Sequence, residues 1–247
     1  MAIFAVITPT IGTHHLKQCL ESVARQTYRN VKHYVYIDGK DKVDVVLEMT
    51  KDYPNVSHVV LDENVGKGFY GHRVYAASSF LTNADVICYL DEDNWYETTH
   101  IFDLLKKYKE GCDWCYSLRR IVDKEGNYLC NDDCESLGKW PTAHNSSVYH
   151  VDTSCFSVKQ QVALAIGHGW YGQWGADRKF FELARKHFPK YDCTGRYTLN
   201  YRLDGNPNSV TRDFFDRGNN VQMKRYNGIF PWQNQDKFTV DSISLIP

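Results

Sequence analysis

Long apolar runs are missing from this chain. No stretch of its 247 residues approaches the ~20 apolar residues a membrane-spanning helix needs. The apolar start, Met1-Ala-Ile-Phe-Ala-Val-Ile7, is short and has neither a basic lead nor a small-residue cleavage site. It reads as a first strand and not as a signal peptide, so a soluble, cytoplasmic protein is expected. Charge of one sign is equally scarce. With 29 basic and 30 acidic side chains, nothing suggests a nucleic-acid or membrane surface that works by bulk charge. Repeats, linkers and low-complexity segments are absent, and one domain over 1–247 is expected. A phosphate-cradling glycine loop is also lacking. The Walker pattern does not occur, and Gly66-x-Gly68-x-x-Gly71 fits the dinucleotide spacing by letter but follows the third strand, too late in the chain for that motif. A nucleotide bound here needs a cation for its diphosphate charge, which favours nucleotide-sugar chemistry over ATP or NAD chemistry.

Aromatic residues, by contrast, are plentiful: 17 Tyr, 12 Phe and 6 Trp exceed what a core of this size needs, so some are expected to line a pocket. Eight cysteines are present. Cys19, Cys88 and Cys155 fall in apolar runs and read as small core residues. Cys112-x-x-Cys115 with Cys130-x-x-x-Cys134 resembles zinc spacing, yet its position across a hairpin leaves zinc binding open. The sequons at Asn55 and Asn145 are incidental in a chain without an export signal.

Apolar periodicity predicts strands over 3–7, 31–37, 56–61 and 86–90, alternating with helices over 14–26, 41–53, 71–83 and 97–108. This βαβ alternation implies a parallel sheet with helices on both faces. After Gly111 the pattern becomes irregular: a strand over 114–122, a hairpin turn at Asp123-Lys-Glu-Gly126, a polar loop over 131–147, a strand near 149–158, helices near 159–166 and 177–188, and a weakly patterned tail from Tyr191. Open parallel sheets bind ligands at the carboxyl ends of their strands. Those ends carry Thr8-Pro9-Thr10, Asp38-Gly39, Asp62-Glu63-Asn64-Val65-Gly66 and, after the apolar run 85–90, Asp91-Glu92-Asp93-Asn94. Consecutive carboxylates repel one another and have no evident structural use at a strand end. A hard divalent cation such as Mg²⁺ or Mn²⁺ relieves that repulsion.

The ordered set Ala5-Val-Ile-Thr-Pro-Thr10, Tyr36-Ile-Asp-Gly39, Asn64-Val-Gly66, Arg73 and Leu90-Asp-Glu-Asp-Asn94 resembles a family 2 glycosyltransferase of the GT-A fold. The likeness continues more loosely to Gly175-Ala-Asp-Arg178. It implies an α/β fold with a mostly parallel central sheet, a nucleotide-binding half over about 1–110 and an irregular acceptor-binding half over about 111–247. It further implies that Thr8, Pro9, Asp38, Asn64 and Arg73 hold the nucleoside, and that Asp93 binds Mn²⁺ or Mg²⁺ directly. Asp91 would act through the ribose or a metal-bound water. Inverting transfer needs a carboxylate base for the acceptor hydroxyl. The residue in the matching place is Asp177, preceded by Ala176 where the family usually has Glu; Asp152 is the second candidate. Trp170, Tyr171 and Trp174 are candidates for an acceptor platform. The implied partners are a nucleotide-sugar donor, UDP-linked, and a hydroxyl of a glycan or related acceptor. Two other readings remain: a sugar-nucleotide pyrophosphorylase, and a non-catalytic carbohydrate-binding protein of the same fold.

Overall fold

The structure, a computed structural model, describes residues 1–203 and 210–233. Parts of the weakly patterned tail therefore lie outside the described residues. The front half alternates as its apolar runs require. Strands β1 (Phe4–Thr10), β2 (Val31–Asp38), β3 (Val56–Leu61) and β4 (Val86–Tyr89) pair in parallel in the order β3-β2-β1-β4. All of β4 and Phe4 to Ile7 of β1 are buried, the mark of strands covered on both faces. Helix α1 (Leu16–Ala24) buries Leu16, Cys19, Leu20 and Val23, a stripe at helical spacing. Helix α2 (Val43–Thr50) follows one 3₁₀ turn at Lys40–Lys42. In α3 (His72–Leu81) the buried face is His72, Val74, Tyr75, Ser78 and Ser79, while Ala77 and Leu81 are exposed. Of the spaced set Val74, Ala77, Ser78 and Leu81, Val74 and Ser78 face the core and Ala77 and Leu81 do not, because the buried face is turned toward Tyr75 and Ser79.

Beyond β4 the sheet changes direction. A two-residue strand, β5 (Trp95–Tyr96), precedes α4 (His100–Lys109), then β6 (Trp114–Val122) and its hairpin partner β7 (Tyr128–Asn131). Strand β8 (Phe156–Lys159) runs antiparallel between β4 and β6, and β9 (Tyr191–Arg202) lies parallel to β6. The full order is β3-β2-β1-β4-β8-β6-β9-β5, with β7 on β6. Helices α5 (Gln160–Ile166), α6 (Ala176–His187) and α7 (Arg212–Arg225) complete the described elements. The expected GT-A type α/β fold is present, with its parallel front strands continuous with the irregular back half.

Two back-half expectations change. The strand expected near 149–158 is confined to β8, because Asp152 accepts from the Ser154 amide and starts a 3₁₀ turn over Thr153–Cys155. The polar 131–147 loop is only partly solvated: residues 144–147 are exposed, whereas the fully buried Asp132 carboxylate accepts the amides of Cys134, Glu135 and Ser136 and draws 132–138 toward the interior.

Candidate active site

The carboxyl ends of β1, β2 and β4 open on one cleft of about 580 Å³, lined among others by Pro9, Thr10, Asp38, Asn64, Asp91 and Asp93. Parallel register sets the geometry. Ile7 pairs with Tyr89 at the end of β4, so Thr8 to Thr10 run on past it toward the acidic turn. There Thr10 Oγ1 donates to Glu92 Oε2 at 2.5 Å, and the amides of Ile11 and Thr13 donate to the same carboxylate. Glu92 thus has a structural use of its own: it ties down the β1–α1 loop.

Asp38 sits at the end of β2 with both oxygens engaged, accepting the Val65 and Gly66 amides at 2.8 Å. A Cβ on Gly66 would stand 2.5 Å from Asp38 Oδ2, so only glycine lets the 64–66 loop close on this carboxylate. Asn64 makes the adjoining turn by accepting the Lys67 amide. Pro9, Asp38 and Asn64 therefore meet where expected, at one side of the cleft. Thr8 does not: its buried hydroxyl pairs with His33 Nε2 at 2.9 Å and lies 3.7 Å from Cys19 Sγ of α1. Thr8 and Thr10 point to the same face of β1, since side chains repeat every second residue. At Thr8 that face is covered by α1, and only Thr10, at the strand's last position, reaches the cleft. Arg73 also lies away from the cleft lining. Its guanidinium stacks 3.4 Å over the Phe69 ring and 5.4 Å from that of Tyr171.

Asp91 is held by two hydroxyls, Tyr75 on Oδ1 at 2.7 Å and Ser154 on Oδ2 at 3.0 Å. Burial, with the Asp93 and Asp152 charges adding to it, pushes its carboxyl up to about 8. Asp93 and Asn94 are fixed from β9: Arg202 Nε donates to the Asp93 carbonyl at 3.1 Å and the Arg202 amide to Asn94 Oδ1 at 3.0 Å. A divalent cation fits this donor set. Asp91 and Asp93 supply hard oxygens at the cleft, and a cation between them would offset the Asp93 charge that adds to the effect of burial on Asp91. Among the described residues no three His, Cys, Asp or Glu are arranged as a metal cage. An ion here would take its remaining ligands from a diphosphate and water, the usual manner of Mg²⁺.

A smaller cavity, about 210 Å³, adjoins the cleft and shares Tyr70, His72, Asp91 and Tyr201 with it. Asp152 and Asp177 both line it. Asp152 is tightly engaged: Oδ2 accepts Arg119 Nη1 at 2.6 Å and Oδ1 the Ser154 amide at 3.0 Å. Burial raises its carboxyl, with Arg119 opposing. Asp177 opens α6, accepts the Arg178 amide on Oδ1 at 2.8 Å, and has Oδ2 3.5 Å from His150 Nε2. Its helix N-terminal place is the one expected. Trp174 lines the same cavity, 66% exposed and stacked under Arg178 at 4.7 Å. Tyr171, 61% exposed, stands beside Arg73 and not in the cavity lining. Trp170 corrects the platform idea: it is 0% exposed and stacks on Phe180 at 4.3 Å, deep in the core.

A model of glycosyl transferase family 2 matches residues 5–181. The chain belongs to that family. The chain is 30% identical over 138 residues to GlyA of Streptococcus pneumoniae serotype 4, named a glycosyltransferase; the match covers 53% of this chain and 18% of GlyA. An uncharacterized protein of Haemophilus influenzae is 25% identical over 103 residues, covering 35% of this chain and 70% of that one. Among solved structures, S. aureus TarS 1-349 aligns over 81% of this chain and 60% of its own, with a TM-score of 0.65 at 15% identity. The crystal structure of TarS 1-349 in complex with UDP-GlcNAc aligns over 94% and 69%, with a TM-score of 0.63 at 13% identity. The chain thus spans less than a fifth of GlyA and about 60% of the first TarS structure.

Several residues of the site escaped sequence reasoning. Arg119 is the main one, a 2%-exposed cation gripped by Asp132 and Glu135 at 2.7 Å and Asp152 at 2.6 Å. Its signal was present: Arg119 and Arg120 stand together in the mostly apolar run of β6. Tyr75, Ser154 and His72 had no such signal, since lone hydroxyls and imidazoles are common core residues, and His150, like His144 and His187, was a candidate third metal ligand only by lying in the back half. The cysteines give no zinc convergence. Cys130 lies opposite Ile121, six residues along β6 from Cys115, or about 20 Å. Cys134 clusters with Ile121 and Cys130, away from Cys112 and Cys115. No described helix is long and apolar enough to cross a membrane.

Proposed function

We propose that this family 2 enzyme moves a sugar from a UDP-linked donor to a hydroxyl of a glycan or related acceptor, with inversion and with help from Mn²⁺ or Mg²⁺. The observation that carries the reading is the meeting of two cavities at Asp91: the cleft holding Asp38, Asn64 and Asp93, and the smaller one holding Asp152 and Asp177. TarS, of the same fold, has been crystallised with UDP-GlcNAc and with UDP. The nucleoside would lie along Pro9, Asp38 and the 64–66 loop, and Asp93 and Asp91 would face the diphosphate. A bound cation supplies Lewis-acid stabilisation of the departing nucleoside diphosphate.

On the acceptor side the two carboxylates divide the work. Asp152 is ion-paired to the buried Arg119 guanidinium, which suits it to orient the donor sugar. Asp177 lines the same cavity with no arginine on its carboxylate among the described residues, and accepts the proton of the acceptor hydroxyl as that oxygen attacks. Trp174 offers the acceptor sugar an apolar face. A pyrophosphorylase needs a glycine-rich, arginine-containing loop after β1, whereas this loop is Thr8-Pro-Thr-Ile-Gly12 bound to Glu92. A merely carbohydrate-binding protein has no need to hold Asp91, Asp93 and Asp152 against their mutual repulsion.

Asp93→Ala and Asp177→Asn test the assignment through release of UDP from UDP-GlcNAc in Mn²⁺, alongside GDP- and dTDP-sugars. Each substitution is expected to lower kcat by about 10²–10⁴-fold with the fold intact by circular dichroism. Wild-type turnover in either variant removes that residue from the mechanism.

A further inference from the structure

Gly175 and Ala176, immediately before Asp177, carry no polar side-chain atom, so the orientation of the Asp177 carboxylate must come from elsewhere. One oxygen is set locally, Oδ1 accepting the Arg178 amide at 2.8 Å. The other, Oδ2, faces His150 Nε2 at 3.5 Å. The imidazole comes from a different part of the chain and is firmly held. His150 is only 5% exposed, and its carbonyl accepts the Gly138 amide at 2.8 Å. Two residues further along, the Asp152 amide donates to Ser136 Oγ at 2.8 Å. The main chain at His150 is therefore fastened to the buried Ser136–Gly138 part of the 131–147 loop, not to α6. Its other ring nitrogen, Nδ1, is buried with no hydrogen-bond partner.

That arrangement puts a hydrogen on Nε2, since a bare Nε2 would set a lone pair against a carboxylate oxygen. A buried Nδ1 left without a partner is unfavourable for folding alone. We propose that His150 is a positioning residue for the base, its Nε2–H fixing Asp177 Oδ2 so that the remaining lone pairs of the carboxylate face the acceptor hydroxyl. The inference rests on the reading of Asp177 as the base. The other nearby imidazole, His72, is engaged differently: its Nδ1 lies 3.2 Å from the Gln173 carbonyl, bracing the loop that leads into α6.

Two variants separate positioning from packing. His150→Phe keeps the ring volume and removes the donor; His150→Gln replaces it with an amide N–H near the Nε2 position. With UDP-GlcNAc and Mn²⁺, His150→Phe should lower kcat for UDP release on the order of 100-fold, the scale of a misplaced reacting group, while KM for the donor stays at its wild-type value. His150→Gln should recover most of that loss, and both variants should melt as the wild type does. Independently of turnover, long-range ¹H–¹⁵N correlation of the wild-type imidazole should show the Nε2–H tautomer for His150. An Nδ1–H tautomer overturns the proposal. So does a wild-type kcat in His150→Phe beside an inactive Asp177→Asn, or a His150→Gln as impaired as His150→Phe. If Asp177→Asn itself turns over normally, the base assignment falls and this inference with it.

Discussion

At the residue scale, neighbours of the same type do different work because different donors reach them. Asp91 and Glu92 are adjacent acids, yet Asp91 turns to the hydroxyls of Tyr75 and Ser154 while Glu92 closes the β1–α1 loop. Thr8 and Thr10 divide similarly, one facing His33 in the sheet and one the cleft. The inward pairing has a consequence for stability. Burial pushes the His33 imidazole from 6.5 down to about 3, and His100 likewise. Both are neutral in the folded protein over the range where the unfolded chain takes up protons. Their contribution to stability is therefore fully present above pH 6.5 and is lost as pH falls from 6.5 toward 3. At pH 5 each costs on the order of 2 kcal/mol relative to pH 7. His33→Gln, which retains a donor toward Thr8, should make the urea-unfolding free energy less sensitive to pH between about 7 and 5. An identical pH slope in variant and wild type would show that His33 is not held neutral.

At the element scale, what could be read in advance followed mostly from apolar content. β6 occupies the residues expected, and β1, β2 and β4 differ only at their ends, β1 and β4 because buried apolar runs leave few alternatives. β3 also lies where expected, although it is an edge strand with no buried residue, because Val56, Val59, Val60 and Leu61 favour a strand. β9 was not legible: Asn, Asp and Gly interrupt it, and Gly195 at φ 71° marks a place where the ladder with β6 shifts register. Helix α7 has no long apolar stripe and gave equally little pattern; only Phe215, Gly218 and Gln222 are buried along it. The aromatic run 170–174 divides between core and surface within one loop. Trp170 ends a 3₁₀ turn and packs on Phe180 at 4.3 Å and Tyr89 at 4.9 Å, whereas Trp174 lies beside Arg178 at the cavity. Sequence alone could not divide them, because the choice depends on where α6 docks. Trp170→Ala should destabilise the fold by about 3–5 kcal/mol. Trp174→Ala should leave stability within about 0.5 kcal/mol and raise KM for the acceptor. Chemical denaturation of the two variants checks the split, and equal losses would place both rings in the core.

At the scale of the whole molecule, the net charge of −1 hides a local concentration of acid. Burial raises the Asp91 carboxyl and the Asp93 and Asp152 charges add to it, while the nearby buried cation Arg119 is already shared among three carboxylates. The fold thus gathers negative charge where the front strands meet the back half, and a nucleoside diphosphate alone would add to it. Metal and nucleotide should therefore bind together. UDP with Mn²⁺ is expected to raise the melting temperature by the equivalent of about 1–3 kcal/mol at roughly ten to a hundred times its dissociation constant. UDP with a chelator should do much less, and ATP with Mn²⁺ should not match UDP if, as proposed, the 64–66 loop closed on Asp38 forms the wall for the base. In Asp93→Ala the Mn²⁺-dependent part of the shift should vanish while any metal-free UDP shift remains. A full shift by UDP in chelator, unaltered in Asp93→Ala, would mean that the acidic turn holds no cation and that the diphosphate charge is met by protein groups alone.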